Sequence, residues 1–256
     1  MNFFRSGKIE LLKHNCVLSH ALNTPSIKAL VGKKVVLASN SPRRKEILRT
    51  FGLEPEIVPS TFEETLSHTD FEDVHEYPVA TASHKAVEVY ERLVRENPDD
   101  APDLVIGADT VVLTHPSPGV SSSPFQGPFI RQDILEKPDD KEDNLRMLLD
   151  LNGSVCEVVT GVSLVYTVLE APGYKIKSIE ERTLVYFADN EKQLLEAYVN
   201  SEEGLDRAGG FAVQGLGGVL IRKVDGDYHN VVGFPAASFF KFLEVLNEEE
   251  TDFLEL

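Results

Sequence analysis

Two hydroxyls and two guanidinium groups lie close together in the run that contains Ser39, Ser41, Arg43 and Arg44. A short apolar run ends just before them, and Pro42 suits the first position of a following helix. Free backbone N–H groups at a helix start, with hydroxyls and arginines beside them, favour a bound anion such as phosphate. The same residues would also suit a capped surface helix with solvated arginines, so this run alone leaves both interpretations open.

A second candidate is Asp109, which interrupts the apolar run of residues 104–113. An aspartate inside a buried strand is costly unless it has partners. It either caps the end of the strand or is kept there for chemistry, as a metal ligand or as a base. We favour the chemical role.

Two further charged positions are ambiguous by themselves. Glu63 and Glu64 follow a predicted strand, where paired carboxylates are usually solvated. Lys85 lies next to the apolar face of a predicted helix, where a lysine normally extends its ammonium group to water. Neither position would be selected from its residue type alone.

Alternating strand and helix patterns surround these candidates. The predicted strands are a short one before Ser39 and the ranges 53–58, 104–113, 155–169 and 175–187, the last two forming a long hairpin. The predicted helices cover 42–51, 78–95, 144–151 and 189–199, with a last helix from residue 235. This order is typical of an α/β domain.

Five ordered motifs give residues 34–247 a resemblance to the Maf family of nucleoside triphosphate pyrophosphatases. They are Ser-Asn-Ser-Pro-Arg-Arg from residue 39, Gly-Ala-Asp-Thr-Val-Val from 107, Glu-Lys-Pro from 136, Asp-Arg-Ala-Gly from 206 with Gln-Gly at 214, and Tyr-His-Asn-Val-Val-Gly-Phe-Pro from 228. The chain departs from the family pattern at three positions. Gly204 replaces a common proline, Arg207 a common lysine and His84 a glutamate.

The resemblance implies an α/β fold, a long twisted mixed sheet with flanking helices around a central cleft. We expect an N-terminal extension at 1–33, the Maf-like domain at 34–247 and an acidic tail at 248–256. The segment 115–131 is rich in Pro, Ser and Gly, and we expect a surface insertion there.

The reaction that the resemblance implies is hydrolysis of a nucleoside triphosphate to the monophosphate and pyrophosphate. Asp109 matches the catalytic aspartate, which would bind Mg²⁺ or Mn²⁺ or take the proton of the attacking water, and Glu64 would complete the metal site. The implied phosphate contacts are Ser39, Ser41, Arg44, Lys85, Lys137 and Arg207. The alternative is a catalytically retired, nucleotide-binding regulator of cell division, which the intact carboxylates and lysines disfavour.

Three positions, Arg43, Thr110 and Gln214, resemble the branch of the family that acts on dTTP and UTP. Another branch, which acts on 7-methylguanosine triphosphate, differs at all three and has glutamate at the last. The glutamine amide offers one acceptor and two donors, which can pair with the N3–H and a ring carbonyl of uracil or thymine. A family enzyme with another base preference is the alternative here.

The formal net charge of −17 argues against a nucleic-acid partner, which usually meets a basic surface. An anionic substrate would then need a local cluster of cations, a divalent metal, or both. Cys16 and Cys156 are too few for a disulfide framework, which favours a reducing, cytoplasmic location. No apolar run is long enough for a membrane span, so we expect a small nucleotide as the partner. Members of the family often form homodimers.

Overall fold

The computed structural model describes residues 13–114 and 132–254, so the predicted insertion at 115–131 lies outside the described residues. The strands are β1 Val35–Leu37, β2 Glu56–Ile57, β3 Leu104–Thr114, β4 Ile134–Leu135, β5 Val155–Thr167, β6 Tyr174–Phe187 and β7 Ile221–Asp225. The helices are α1 Pro25–Ala29, α2 Pro42–Thr50, α3 Glu76–Glu96, α4 Lys141–Leu151, α5 Lys192–Asn200, α6 Tyr228–Val232 and α7 Ala236–Glu249.

The described strands form one mixed sheet of seven strands, in the order β2-β1-β3-β5-β6-β7, with β4 paired to β3 outside that path. β1 runs parallel to both β2 and β3, whereas the pairs β3–β5, β5–β6 and β6–β7 are antiparallel. The predicted hairpin is the pair β5–β6, which stays in register from Val155 opposite Tyr186 to Thr167 opposite Tyr174. The predicted α/β class and mixed sheet are confirmed.

The central strands β3 and β5 are covered on both faces, since Leu104–Asp109 and Val158–Tyr166 are buried without a break. Strands of this kind have continuous apolar runs instead of alternating ones. Asp109 is in the middle of β3, because the strand continues to Thr114. The alternative that Asp109 caps a strand end is therefore wrong, and the carboxylate needs buried partners.

Helix α3 packs closely on β3 and β5 because two glycines face it. A Cβ on Gly107 would lie 2.2 Å from a carbonyl oxygen of α3, and a Cβ on Gly161 would lie 2.5 Å from one of its Cα atoms. Neither position can carry a side chain unless the helix moves away. This close approach brings Lys85, on α3, next to Asp109, on β3.

The described parts of the two flanking segments pack on the domain. Cys16, Ile27 and Leu30 join the same buried apolar cluster as Phe253 and Leu254. Acidic side chains of the tail form ion pairs with lysines of β6, so part of the negative charge there is locally neutralised. In the ranges that the structure describes, no helix has the length and apolar character needed to cross a bilayer.

Candidate active site

A cavity of about 440 Å³ opens where β1, β3 and the start of α2 meet the segment around Arg207. This volume lies within the usual range for small-molecule sites. Nine charged side chains contribute to its lining among the described residues. The five cations are Arg43, Arg44, Lys85, Lys137 and Arg207, and the four carboxylates are Glu64, Asp109, Glu136 and Asp206.

The turn between β1 and α2 supplies the hydroxyls of the cavity. Ser41 precedes α2 at the N-cap position, as predicted, but its side chain makes no capping hydrogen bond. The Ser39 hydroxyl accepts hydrogen bonds from the Ser41 N–H and from Arg44 Nη1, each at 3.2 Å. Both serines line the cavity, so the turn offers hydroxyls and the first N–H groups of a helix to an anion.

Arg44 is fixed by hydrogen bonds to three different elements. Its Nε donates to the Gly233 carbonyl at 3.0 Å, Nη1 to Ser39, and Nη2 to the Thr110 hydroxyl at 3.1 Å. Burial lowers the pKa of Arg44, and the charge of Asp109 opposes that effect. A guanidinium stays protonated in proteins, so Arg44 holds a fixed positive charge in the cleft.

Asp109, Lys85 and Glu64 form a charged triplet centred on the lysine. Lys85 Nζ lies 2.8 Å from Asp109 Oδ1 and 2.7 Å from Glu64 Oε1. Asp109 is only 8% exposed. Burial raises the pKa of Asp109, and the positive charges of Lys85 and Arg44 oppose the increase. The structure thus brings together Asp109, Glu64, Lys85 and Arg44, which the sequence places in four separate segments.

Two of the three remaining cations contact Asp206, a residue that the sequence analysis did not select. Arg43 Nη2 donates to the Asp206 carbonyl at 3.1 Å, and Lys137 Nζ lies 2.9 Å from Asp206 Oδ1. The Arg207 Nε atom is buried with no hydrogen-bond partner among the described residues. Asp206 is the first residue of the Asp-Arg-Ala-Gly motif, and its place in that motif is the sequence signal that could have identified it as a site residue.

Glu136 is a second residue that the sequence analysis did not select. Tyr77 is buried, and its hydroxyl donates a hydrogen bond to Glu136 Oε1 at 2.9 Å. Burial and the Glu136 charge raise the pKa of Tyr77, and Asp109 and Glu64 contribute in the same direction. The phenol therefore stays protonated and holds Glu136 at the edge of the cavity.

The three residues predicted to select the base do not meet in one cavity. Gln214 lines a smaller cavity of about 190 Å³, together with Tyr228 and His229. Thr110 lines only the larger cavity, and its hydroxyl is bonded to Arg44 and lies 2.9 Å from that of Thr160. Arg43 lines both cavities and connects them.

The fold and site together define an α/β protein whose cleft brings together hydroxyls, fixed cations and a buried carboxylate. The chain belongs to the Maf-like protein family, whose sequence profile matches residues 34–246. The resemblance carried by the five motifs is therefore confirmed at the level of the family.

Several relatives bear a functional name. A human "Probable bifunctional dTTP/UTP pyrophosphatase/methyltransferase protein" is 43% identical over 221 residues, which are 86% of this chain and 33% of that protein. The chain thus spans about a third of the human protein. The "dTTP/UTP pyrophosphatase" of Schizosaccharomyces pombe is 37% identical, over 89% of this chain and 90% of that protein. The "dTTP/UTP pyrophosphatase" of Thermococcus kodakarensis is 36% identical, over 82% and 96%.

Proposed function

We propose that the protein hydrolyses nucleoside triphosphates, above all dTTP and UTP, to the monophosphate and pyrophosphate. The observation that carries the proposal is a buried carboxylate, Asp109, paired with Lys85 and near the charge of Arg44, at a cleft that also presents the hydroxyls of Ser39 and Ser41. The names of the relatives supply the substrate class and the bond that is cut.

In the proposed mechanism Asp109 is the base. Its raised pKa makes the ionised carboxylate a stronger proton acceptor than an exposed aspartate. The oxygen of a water bonds to the α-phosphorus as its proton passes to Asp109, the bond to the bridging oxygen breaks, and pyrophosphate leaves. Arg44 and Lys85 stabilise the negative charge that develops on the phosphate oxygens, while Lys137 and Arg207 bind the remaining phosphates.

A divalent cation, Mg²⁺ or Mn²⁺, fits this site when it enters with the nucleotide. Glu64, a half-exposed carboxylate of the cavity lining, would hold it together with phosphate oxygens, because one or two carboxylates plus phosphate oxygens are the usual donors for Mg²⁺. Asp109 would stay free to take the proton. The cavity has five cations and four carboxylates, so its net positive charge is small compared with the negative charge of a triphosphate. A divalent cation would supply the missing positive charge. Within the described ranges, no three His, Cys, Asp or Glu side chains gather as a metal centre. When bound, the cation would neutralise phosphate charge and acidify a water.

The first test is the identity of the product and its metal dependence. With UTP and Mg²⁺ the protein should release pyrophosphate and UMP, without orthophosphate. Chelation with EDTA should lower the rate by at least about tenfold, and Mg²⁺ or Mn²⁺ should restore it. Orthophosphate as the first product would overturn the proposed site of cleavage. No cleavage of any common triphosphate would favour a nucleotide-binding regulator instead.

Base selection is proposed to occur in the smaller cavity beside Gln214. The glutamine amide would pair with the N3–H and a carbonyl of uracil or thymine, whereas a glutamate could only accept. Thr110 is proposed to act through Arg44, because its hydroxyl already holds that side chain.

Gln214→Glu should therefore erode the preference for UTP over GTP, by up to about tenfold, since a mismatched base leaves a polar group unpaired. The measurement is kcat/KM for both nucleotides in wild type and variant, with Gln193→Glu on α5 as a control that lines neither cavity. A wild-type enzyme that hydrolyses GTP or 7-methylguanosine triphosphate faster than UTP would refute the assignment.

We also propose that the protein works in the cytoplasm on free nucleotides and not on nucleic acid. The two cysteines, Cys16 and Cys156, are buried and unpaired, as is usual in a reducing compartment. The net charge of −17 is unfavourable for binding a nucleic-acid backbone. A homodimer remains a prediction from the family resemblance.

A further inference from the structure

A carboxylate outside both cavities holds the loop that carries Gln214. Glu203 Oε1 accepts the Leu216 N–H and Oε2 accepts the Gly217 N–H, both at 3.0 Å. Gly215 lies against the same carboxylate, because a Cβ there would be 2.0 Å from Glu203 Oε1. Charge-assisted hydrogen bonds to two successive amides are stronger than neutral ones and fix the backbone between them.

The backbone next to Glu203 and a neighbouring tyrosine also contribute to holding the loop. The preceding residue, Glu202, has a φ of 63°, a left-handed conformation that is uncommon outside glycine. The Tyr198 hydroxyl accepts the Ala212 N–H at 3.1 Å. Burial raises the pKa of Tyr198, and the Glu203 charge adds to the effect. Glu203 and Tyr198 therefore hold the loop at Ala212 on one side of Gln214 and at Leu216 and Gly217 on the other.

Gln214 itself has no comparable support. Its side chain is exposed and makes no hydrogen bond to any residue in the described ranges. An amide of this kind can rotate and exchange its donor and acceptor edges. The position of its backbone is thus the main constraint on where the amide meets a bound base.

We propose that Glu203 is a positioning residue for base selection, which acts by fixing the backbone of the Gln214 loop through the Leu216 and Gly217 amides. The proposal rests on the proposed function, since it requires that Gln214 contacts the base. Glu203 lines neither cavity, so it touches neither the phosphates nor the base. It should influence discrimination between bases and leave the chemical step almost unchanged.

The test compares Glu203→Gln with Glu202→Gln. The Glu203 variant keeps one acceptor oxygen but places an amide NH₂ against a backbone N–H, so one of the two loop contacts is lost. Glu202 pairs with Lys141 at 2.8 Å and contacts no loop amide, which makes it a matched control in the same turn. The measurements are kcat and KM for UTP and GTP, and amide hydrogen exchange of residues 212–217.

Glu203→Gln should lower the ratio of kcat/KM for UTP over that for GTP by about tenfold, mainly through KM for UTP. Exchange of the Leu216 and Gly217 amides should become faster, and Glu202→Gln should change neither quantity. An unchanged ratio in a folded Glu203 variant, or an equal loss for both nucleotides, would overturn the inference. Failure of the proposed function is distinguishable, because the wild-type protein would then release no pyrophosphate from UTP, and the inference would be overturned with it.

Discussion

Asp109→Asn should lower the turnover of UTP by at least roughly 10²-fold, the scale for losing a positioned base. Asparagine has nearly the same shape, and its amide oxygen can still accept a hydrogen bond from Lys85, which lies 2.8 Å from Asp109 Oδ1. The substitution therefore removes the charge and the proton-accepting capacity while the packing of β3 is kept. The measurement is kcat for pyrophosphate release at saturating UTP and Mg²⁺.

The melting temperature distinguishes a loss of turnover in Asp109→Asn from misfolding of the variant. Burial raises the pKa of Asp109, so the folded state binds the proton more tightly than the unfolded state. The stabilisation from the protonated form is lost as the pH rises through the raised pKa, and above that pKa the ionised carboxylate destabilises the fold. Asp109→Asn should consequently melt at the same temperature as wild type or higher. Asp99→Asn, at an exposed turn, is the matched control and should change neither kcat nor melting temperature.

The pH profile gives an independent check on the role of Asp109. A base must be ionised to act, so wild-type activity should fall as the pH drops through the raised pKa. The acid limb should lie above the ordinary aspartate value of about 3.9. The residual activity of the asparagine variant should lack that limb. Near-normal turnover in the folded variant, or a limb that persists, would show that another group is the base.

The sequence predicted the elements that carry the chemistry because their signals are local. A continuous apolar run indicates a strand that is covered on both faces, and both β3 and β5 are such strands. Ser41 and Pro42 show the start of α2 for the same reason, since an N-cap residue and a first-turn proline act within a few residues. Asp109 was found because a single carboxylate interrupts an apolar pattern.

The sequence could not predict contacts that depend on how distant segments meet. Asp206 bonds to Arg43, which is 163 positions earlier in the chain, and neither residue is unusual in its own segment. Thr110 and Gln214 line different cavities, and no periodic pattern specifies the path of the loop before β7 that carries Gln214. The packing of Cys16 is similar, because the apolar cluster that it joins also contains Phe253 and Leu254, from the far end of the chain.

A chain with a net charge of −17 can hold an anion if its cations are gathered at one place. The sequence places arginines and lysines in separate motifs, and only the fold gathers five of them around one cavity. Four carboxylates gather with them, so the cavity is close to electrically balanced before a substrate enters. Arg44 has a large weight in this balance, because hydrogen bonds to three separate segments hold it in the cleft and a guanidinium stays protonated.

Arg44→Gln should lower kcat for UTP by about 10²–10³-fold, the usual effect of removing one fixed donor that stabilises transition-state charge. It should also move the acid limb to higher pH, because the Arg44 charge opposes the raised pKa of Asp109. Arg44→Lys should keep the limb near its wild-type position while kcat still falls. A lysine preserves the charge but cannot satisfy Ser39, Thr110 and Gly233 together.

These two variants separate charge from geometry, and a surface arginine on the same helix provides the control. Arg49 is 64% exposed, and its ion pair with Glu54, at 3.7 Å, lies on the surface, where such pairs contribute little. Arg49→Gln should therefore leave kcat and the acid limb unchanged. The measurements are kcat against pH for the four proteins, with thermal melting to confirm that each is folded. A folded Arg44→Gln enzyme with a wild-type acid limb would mean that Arg44 does not act on Asp109. If kcat of Arg44→Gln falls less than about tenfold, the other cations of the cleft stabilise the transition state without Arg44.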